Sequence, residues 1–220
     1  MQHLNLGFIS ISKFFNVLET DMYICPMNLV FATNNAHKLE EVRAILNNQL
    51  YIKTLSDINY HSELPETTGT ITGNAIQKAQ TLFNETGFAC FADDTGLEID
   101  TLGGNPGVDT AHYGGLERDA VKNMNRVLSE MDGVEERSAR FITVIAFVNE
   151  NGIQTFEGEV KGKIAQAIFG HGGFGYDPIF IPEGFDRTFA EIPQSIKNEI
   201  SHRARATALF ANWINQNMSI

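Results

Sequence analysis

Lys38 closes the polar run Thr33-Asn34-Asn35-Ala36-His37-Lys38, and farther along Asp93-Asp94-Thr95-Gly96 sets two carboxylates side by side. A helix start offers outward-pointing backbone N–H groups to an anion, and a lysine there adds a full positive charge. Adjacent carboxylates repel unless a cation or hydrogen-bond donors compensate. Their hard oxygens suit Mg2+, which takes one or two carboxylates and leaves the rest of its shell to substrate phosphates and water. The first stretch therefore reads as a phosphate cradle and the second as a metal loop. Each alone is also what an ordinary turn looks like, polar in one case and Asp-rich with Gly96 in the other.

Other side chains could complete such a site. Glu66, after Leu64-Pro65, is a second metal-ligand candidate or else a solvated carboxylate. Asn74 and Lys78 stand one helical turn apart and can look toward the same side, although Asn74 also reads as a helix cap. The run Gly170-His171-Gly172-Gly173-Phe174-Gly175-Tyr176-Asp177-Pro178 carries two aromatics among glycines. There an aromatic can stack on a planar base and Asp177 can accept hydrogen bonds, or the loop is structural with Phe174 tucked into the core. Lys197, Ser201, His202 and Arg203 form a set of donors suited to a carbonyl-bearing base or a phosphate, and equally to a solvated basic helix start.

The flanking patterns say which elements position these residues. Asn28 to Ala32 is a short apolar run, like a buried strand, and Leu39, Val42, Ile45 and Leu46 then recur at helical spacing. The Thr33–Lys38 run thus sits on a strand-to-helix turn. Phe88 to Ala92 reads as a buried strand with Asp93-Asp94 at its end, and Leu97 to Ile99 as a further extended piece. Helical patterns recur from Ala75 to Phe83 and from Val121 to Met131, the earlier helix beginning near Gly73-Asn74, with a last helix over about Ile200 to Gln216. Phe141 to Val148 is rich in β-branched and aromatic residues and runs into Asn151-Gly152, a hairpin signal, with a second strand near Ile153 to Val160. The alternation predicts an α/β domain with a mixed sheet.

With 220 residues, 43% of them hydrophobic, one substantial core and one domain are expected over residues 27–220. The net charge of −11 argues against nucleic acid as a partner. Cys25 and Cys90 form neither a zinc pattern nor a disulfide framework, which points to a reducing, cytoplasmic setting. Gly7 to Leu18 is apolar but interrupted by Lys13, too short to span a bilayer, and lacks the features of a signal peptide. Residues 1–26 are expected to be a dispensable extension or a product of start-codon choice, since Met22 and Met27 offer other starts.

Taken in order, the motifs resemble the inosine/xanthosine triphosphate pyrophosphatase family, the house-cleaning nucleotide hydrolases. The residues that carry the resemblance are Thr33-Asn34-Asn35 with Lys38, Glu66, Asn74-Ala75 with Lys78, Ala92 to Leu97, Gly103-Gly104 with Pro106-Gly107, Phe174 to Pro178, and Ser201-His202-Arg203. The resemblance implies an elongated mixed sheet in two lobes flanked by helices, a cleft between the lobes, a relation to Maf proteins, and a homodimer. It also implies Mg2+-dependent cleavage of a noncanonical purine nucleoside triphosphate (XTP, ITP or dITP) to the monophosphate and pyrophosphate. On that mapping Thr33, Asn34, Asn35, Ala36, His37, Lys38 and Thr95 meet the phosphates, with Lys78 as a helper. Glu66 and Asp94 hold the metal, and Asp94 accepts the proton. Phe174, Gly175, Tyr176, Asp177, Lys197, His202 and Arg203 meet the nucleotide, chiefly its base.

Base choice then follows from donors and acceptors. Hypoxanthine and xanthine present a carbonyl oxygen at C6 where adenine presents an amino group, and Arg203 and Lys197 only donate. Guanine shares that carbonyl, so its 2-amino group must be rejected by other contacts. Two departures from the family pattern stand out: His112-Tyr113 where many relatives have Arg-Tyr, and Thr95 where Ser is frequent. The rival readings are a Maf-like dTTP/UTP pyrophosphatase and a non-catalytic nucleotide-binding module.

Overall fold

Three apolar residues in succession, Leu29–Phe31, form strand β1, fully buried as an interior strand of a parallel pair must be. Helix α1 (Ala36–Leu46) and strand β2 (Ile52–Lys53) follow. Then come α2 (Ile71–Thr86), β3 (Cys90–Ile99), β4 (Pro106–Gly107), α3 (Ala120–Glu130), β5 (Ser138–Asn149), β6 (Gly152–Ile164), β7 (Phe180–Pro182), α4 (Gln194–Ile200) and α5 (His202–Asn217). The computed structural model describes residues 29–46 and 50–218, so the expectation for residues 1–26 lies outside the described residues.

Among the described residues one seven-stranded sheet runs in the order β2-β1-β3-β5-β6-β7, with β4 paired to β3. It is mixed, as expected: β1 pairs in parallel with β2 and β3, and every other ladder is antiparallel. β5 and β6 form the anticipated hairpin with Asn149 opposite Gly152, so Glu150 and Asn151 make the turn and Gly152 already belongs to the strand.

Strand β3 corrects the sequence reading. Its ten residues pair with β5 without a break from Cys90↔Val148 to Ile99↔Ala139, so Asp93 and Asp94 lie in mid-strand rather than at a strand end. Asp and Gly are poor strand formers, but ladder pairing along the whole length overrides that local preference. On its other edge β3 meets β1 at Cys90 and Phe91 and β4 only at Leu97 and Glu98. Between them, the edge at residues 92–96 has no strand neighbour among the described residues. There the Thr33–Lys38 turn approaches.

The helices sort the sheet into two faces. Phe31, Phe91, Ile145 and Phe147 pack with Val42 and Leu46 of α1 and Phe210 and Ile214 of α5. Val30, Cys90, Ala92, Val144 and Ala146 pack with Ala75, Ala79 and Leu82 of α2. A third cluster joins Leu97, Ile99 and Phe141 to Met124 and Val127 of α3 and to Phe180 and Phe189. Close approach of α5 to β6 depends on Gly158, where a Cβ would collide with the His202 carbonyl and the Ala206 backbone nitrogen. No described helix is long and apolar enough to cross a membrane.

Candidate active site

Successive side chains on a strand point to opposite faces, so β3 sends Asp93 one way and Asp94 the other. Their repulsion is relieved by separation and by two different sets of cations.

On the α1/α5 face, Lys38 Nζ donates to Asp93 Oδ1 at 3.0 Å and lies 3.4 Å from its carbonyl oxygen. Arg203, fully buried in the first turn of α5, donates through Nε to Asp93 Oδ2 (3.1 Å), through Nη1 to Glu41 Oε2 (2.5 Å) and through Nη2 to Thr95 Oγ1 (3.0 Å). Glu41 also accepts from Lys197 Nζ at 2.7 Å, and Lys197 donates to Asp177 Oδ2 at 2.6 Å. Three cations thus face three carboxylates in one continuous chain. Burial works to raise the Asp93 carboxyl, but Lys38, Arg203 and Lys78 outweigh it and hold the group far below the usual carboxylate range. The balance is the same for Glu41, where Arg203 and Lys197 overcome burial.

On the α2 face, Lys78 Nζ lies between Glu66 Oε1 (2.5 Å) and Asp94 Oδ1 (3.2 Å). Two carboxylates against one ammonium leave an excess negative charge. Burial raises the Asp94 carboxyl above its ordinary value despite Lys78 and Lys38, with Glu66 and Asp93 adding to the rise. Glu66 goes the other way: burial would raise it, but Lys78, Lys38 and Arg118 bring it down. A pair of hard-oxygen donors with excess charge fits Mg2+, which needs few protein ligands when phosphates and water supply the rest. Among the described residues no cluster of three or more Asp, Glu, His or Cys stands ready to cage an ion by itself.

The remaining predicted residues are placed as follows in the structure. Asn35 starts α1, its Oδ1 accepting from the Lys38 backbone N–H (3.2 Å), while Thr33 Oγ1 accepts from Asn35 N (3.2 Å). Asn34 and Ala36 are exposed on the same turn, and His37 turns its ring toward Phe174. Thr95 Oγ1 shares a hydrogen bond with Thr143 Oγ1 (2.7 Å) in addition to that from Arg203. Phe174 N–H donates to Asp177 Oδ2 (2.7 Å), a turn that requires glycine at 173: φ is +68°, and a Cβ there would run into the Asp177 carboxylate. Gly175 is half-buried beside it. Tyr176 is buried in the core and its hydroxyl donates to the Thr110 carbonyl at 2.8 Å, so it braces the loop from beneath. His202 stacks on Phe141 with centroids 4.6 Å apart. Burial, then Arg203 and Lys197, push its pKa well below the ordinary value, leaving a neutral ring. Its Nδ1 has no hydrogen-bond partner among the described residues.

Two assignments change. Asn74 does not cap α2: Thr70 does, in extended backbone with its hydroxyl accepting from Gly73 N, and Asn74 Oδ1 instead accepts from Thr68 N and Thr68 Oγ1. Ser201 is likewise a cap, accepting from Ala204 N at 3.2 Å to start α5 and so to aim Arg203. Sequence reading missed Glu41, which bridges Lys197 and Arg203. The one available signal was its position three residues after Lys38, on the same side of α1. His112, at the departure from the family pattern, accepts from Arg118 Nε at 3.2 Å, which places a guanidinium on this loop after all. A cavity of about 710 Å³ lies elsewhere, between Glu98, Arg140, Lys163 and Phe185. Arg140 is already paired there with Glu98 and Glu159.

The central strand of this mixed α/β sheet holds Asp93 against Lys38 and Arg203 on one face and Asp94 against Lys78 on the other, the candidate site of an α/β enzyme. The Ham1 family model matches residues 29–213, and the chain belongs to the Ham1 family. It is 48% identical over 180 residues to the dITP/XTP pyrophosphatase of Flavobacterium johnsoniae, covering 82% of this chain and 94% of that protein. Identity to the dITP/XTP pyrophosphatase of Porphyromonas gingivalis is 46% over 187 residues, covering 84% and 96%. Among solved structures, the Staphylococcus aureus Ham1 protein superposes with a TM-score of 0.79 at 31% identity, covering 86% of this chain and 98% of that one. A HAM1 protein from Coxiella burnetii gives 0.78 at 34%, covering 86% and 99%.

Proposed function

We propose that this chain hydrolyses the noncanonical purine nucleoside triphosphates dITP, XTP and ITP to the monophosphate and pyrophosphate, keeping them out of DNA and RNA. The observation that carries the reading is the division of β3, with a donor-rich pocket on the Asp93 face and a metal-fitting carboxylate pair on the Asp94 face. The names borne by relatives of 46–48% identity support dITP and XTP among these substrates.

Glu66 and Asp94 would hold Mg2+, which when bound supplies charge neutralisation for the phosphates and the departing pyrophosphate. The chain's own groups supply the rest. Asp94 takes the proton of the water that attacks the α-phosphorus. Lys38 and Lys78 compensate charge shifting onto the leaving group, and the Thr33–Asn35 turn with Thr95 orients the triphosphate. Positioning and charge compensation carry most of such a reaction.

On the other face, Lys197 and Arg203 are already engaged by carboxylates, so what they can offer a base is their remaining N–H groups. These are donors only, matched to a C6 carbonyl and mismatched to an adenine amino group. Sites built this way discriminate by about 10⁴-fold or more. A homodimer and a cytoplasmic setting are carried by the family resemblance and by the reduced-thiol reading of Cys25 and Cys90.

The test is pyrophosphate release with Mg2+ from XTP, ITP and dITP beside ATP, GTP and dTTP, for wild type and Asp94→Asn. Release confined largely to the first three, and reduced by at least about 100-fold in a folded Asp94→Asn, is expected. Preference for dTTP, or near-normal turnover in the variant, would overturn the reading.

A further inference from the structure

His37 was expected in the phosphate cradle, yet its ring lies flat on Phe174, with centroids 5.3 Å apart and planes within 11°. The two come from distant parts of the chain, the first turn of α1 and the glycine-rich loop. Neither is core: His37 is exposed and Phe174 half-buried. They meet beside the base-reading cations, with Lys197 Nζ 5.1 Å and Arg203 Cζ 5.5 Å from the Phe174 centroid. A cavity of about 320 Å³ is lined by both rings together with Glu40, Glu41, Gln194 and Asn198, among others. Lys38, the next residue, points away to Asp93, so the α1 start divides its side chains between two tasks.

We propose that the purine ring of the substrate inserts between His37 and Phe174, making His37 a base-contacting residue rather than a phosphate ligand. The inference rests on the nucleotide reading given above. Aromatic planes in contact lie about 3.5 Å apart, so a ring held between two others needs about twice that separation. His37 is fixed in a helix, so the opening comes from Phe174, which Gly173 and Gly175 flank at φ +68° and +63°. In the free protein each ring covers a face the other would otherwise expose to water. Stacking is indifferent to the pattern of donors and acceptors, because every base has a π-face. His37 therefore adds affinity for all purines alike and leaves discrimination to Lys197 and Arg203.

The experiment compares wild type, His37→Ala and His37→Phe by calorimetric binding of inosine monophosphate and of inorganic tripolyphosphate. His37→Ala should weaken the monophosphate about tenfold while His37→Phe stays within about twofold of wild type. Tripolyphosphate affinity should not change in either. In turnover, His37→Ala should raise KM for ITP with kcat nearly unchanged and leave the ITP-to-ATP preference as it was. Parallel weakening of tripolyphosphate, equal loss in His37→Phe, or no loss in His37→Ala would overturn the inference. Wild type that binds the monophosphate but releases no pyrophosphate would sink the proposed reaction and leave the stacking result standing. Wild type that binds neither probe would sink both.

Discussion

Glu41→Gln tests whether the buried charge chain is a balanced unit. Glu41 is 8% exposed and bridges Lys197 at 2.7 Å and Arg203 at 2.5 Å. Its loss leaves three buried or half-buried cations facing two carboxylates, Asp93 and Asp177. Breaking a buried pair by removing one partner costs about 3–5 kcal/mol, and the Gln amide oxygen, still able to accept one hydrogen bond, puts the expectation at the lower end, about 3 kcal/mol. Urea unfolding at pH 7 reads this directly. Adding Lys197→Met restores the balance, and the double-mutant cycle should show a coupling of more than about 1 kcal/mol. The pH dependence carries a definite sign. Burial raises the folded Glu41 carboxyl, but Arg203 and Lys197 bring it below its ordinary 4.5. The stabilisation is therefore fully present above that value and lost as pH falls through the lower folded one. The stability gap between wild type and Glu41→Gln should be widest near neutrality and close in acid. A gap under about 0.5 kcal/mol at pH 7, the range of an ordinary surface substitution, would refute the account.

Other expectations follow from single features. Lys78→Met removes the ammonium between Glu66 and Asp94, so its melting temperature without metal should fall, and millimolar Mg2+ should raise it more than in wild type; an equal response would separate the carboxylates from metal binding. Gly158→Ala should cost about 3 kcal/mol or more, because α5 backbone occupies the space a Cβ would need; stability unchanged in urea would contradict the packing described. Cys90 is buried and its thiol is pushed up to about 12 by that burial, so iodoacetamide at pH 8 should spare it in the native protein and label it in urea, as read by peptide mass spectrometry.

Much of the candidate site was legible because it is written in local order: a turn before a helix, an acid pair after an apolar run, a glycine loop with aromatics. What was not legible depends on contacts far along the chain. Asp93-Asp94-Thr95-Gly96 looks like a turn by composition, and only the ten-residue ladder with β5 keeps it extended. Thr70 and Asn74 are both good cap residues, and local periodicity does not choose between them. Glu41 stands beside Glu40 in a helix with no mark of burial, and its partners lie 156 and 162 residues away. His37 was read with the turn it adjoins, but its ring is placed by a loop on the other side of the pocket.

Because Asp93 and Asp94 leave β3 on opposite faces, the sheet is a partition between two charge networks, Glu41, Lys197 and Arg203 behind one wall and Glu66 with Lys78 behind the other. On the proposed roles, substitutions around Lys197 and Arg203 would retune which nucleotide is accepted without touching Glu66, Lys78 or Asp94. Base choice and hydrolysis would therefore be free to drift separately in evolution. The same arrangement makes the strand intolerant of insertion or deletion, since a shift of one residue would exchange every group across the wall at once.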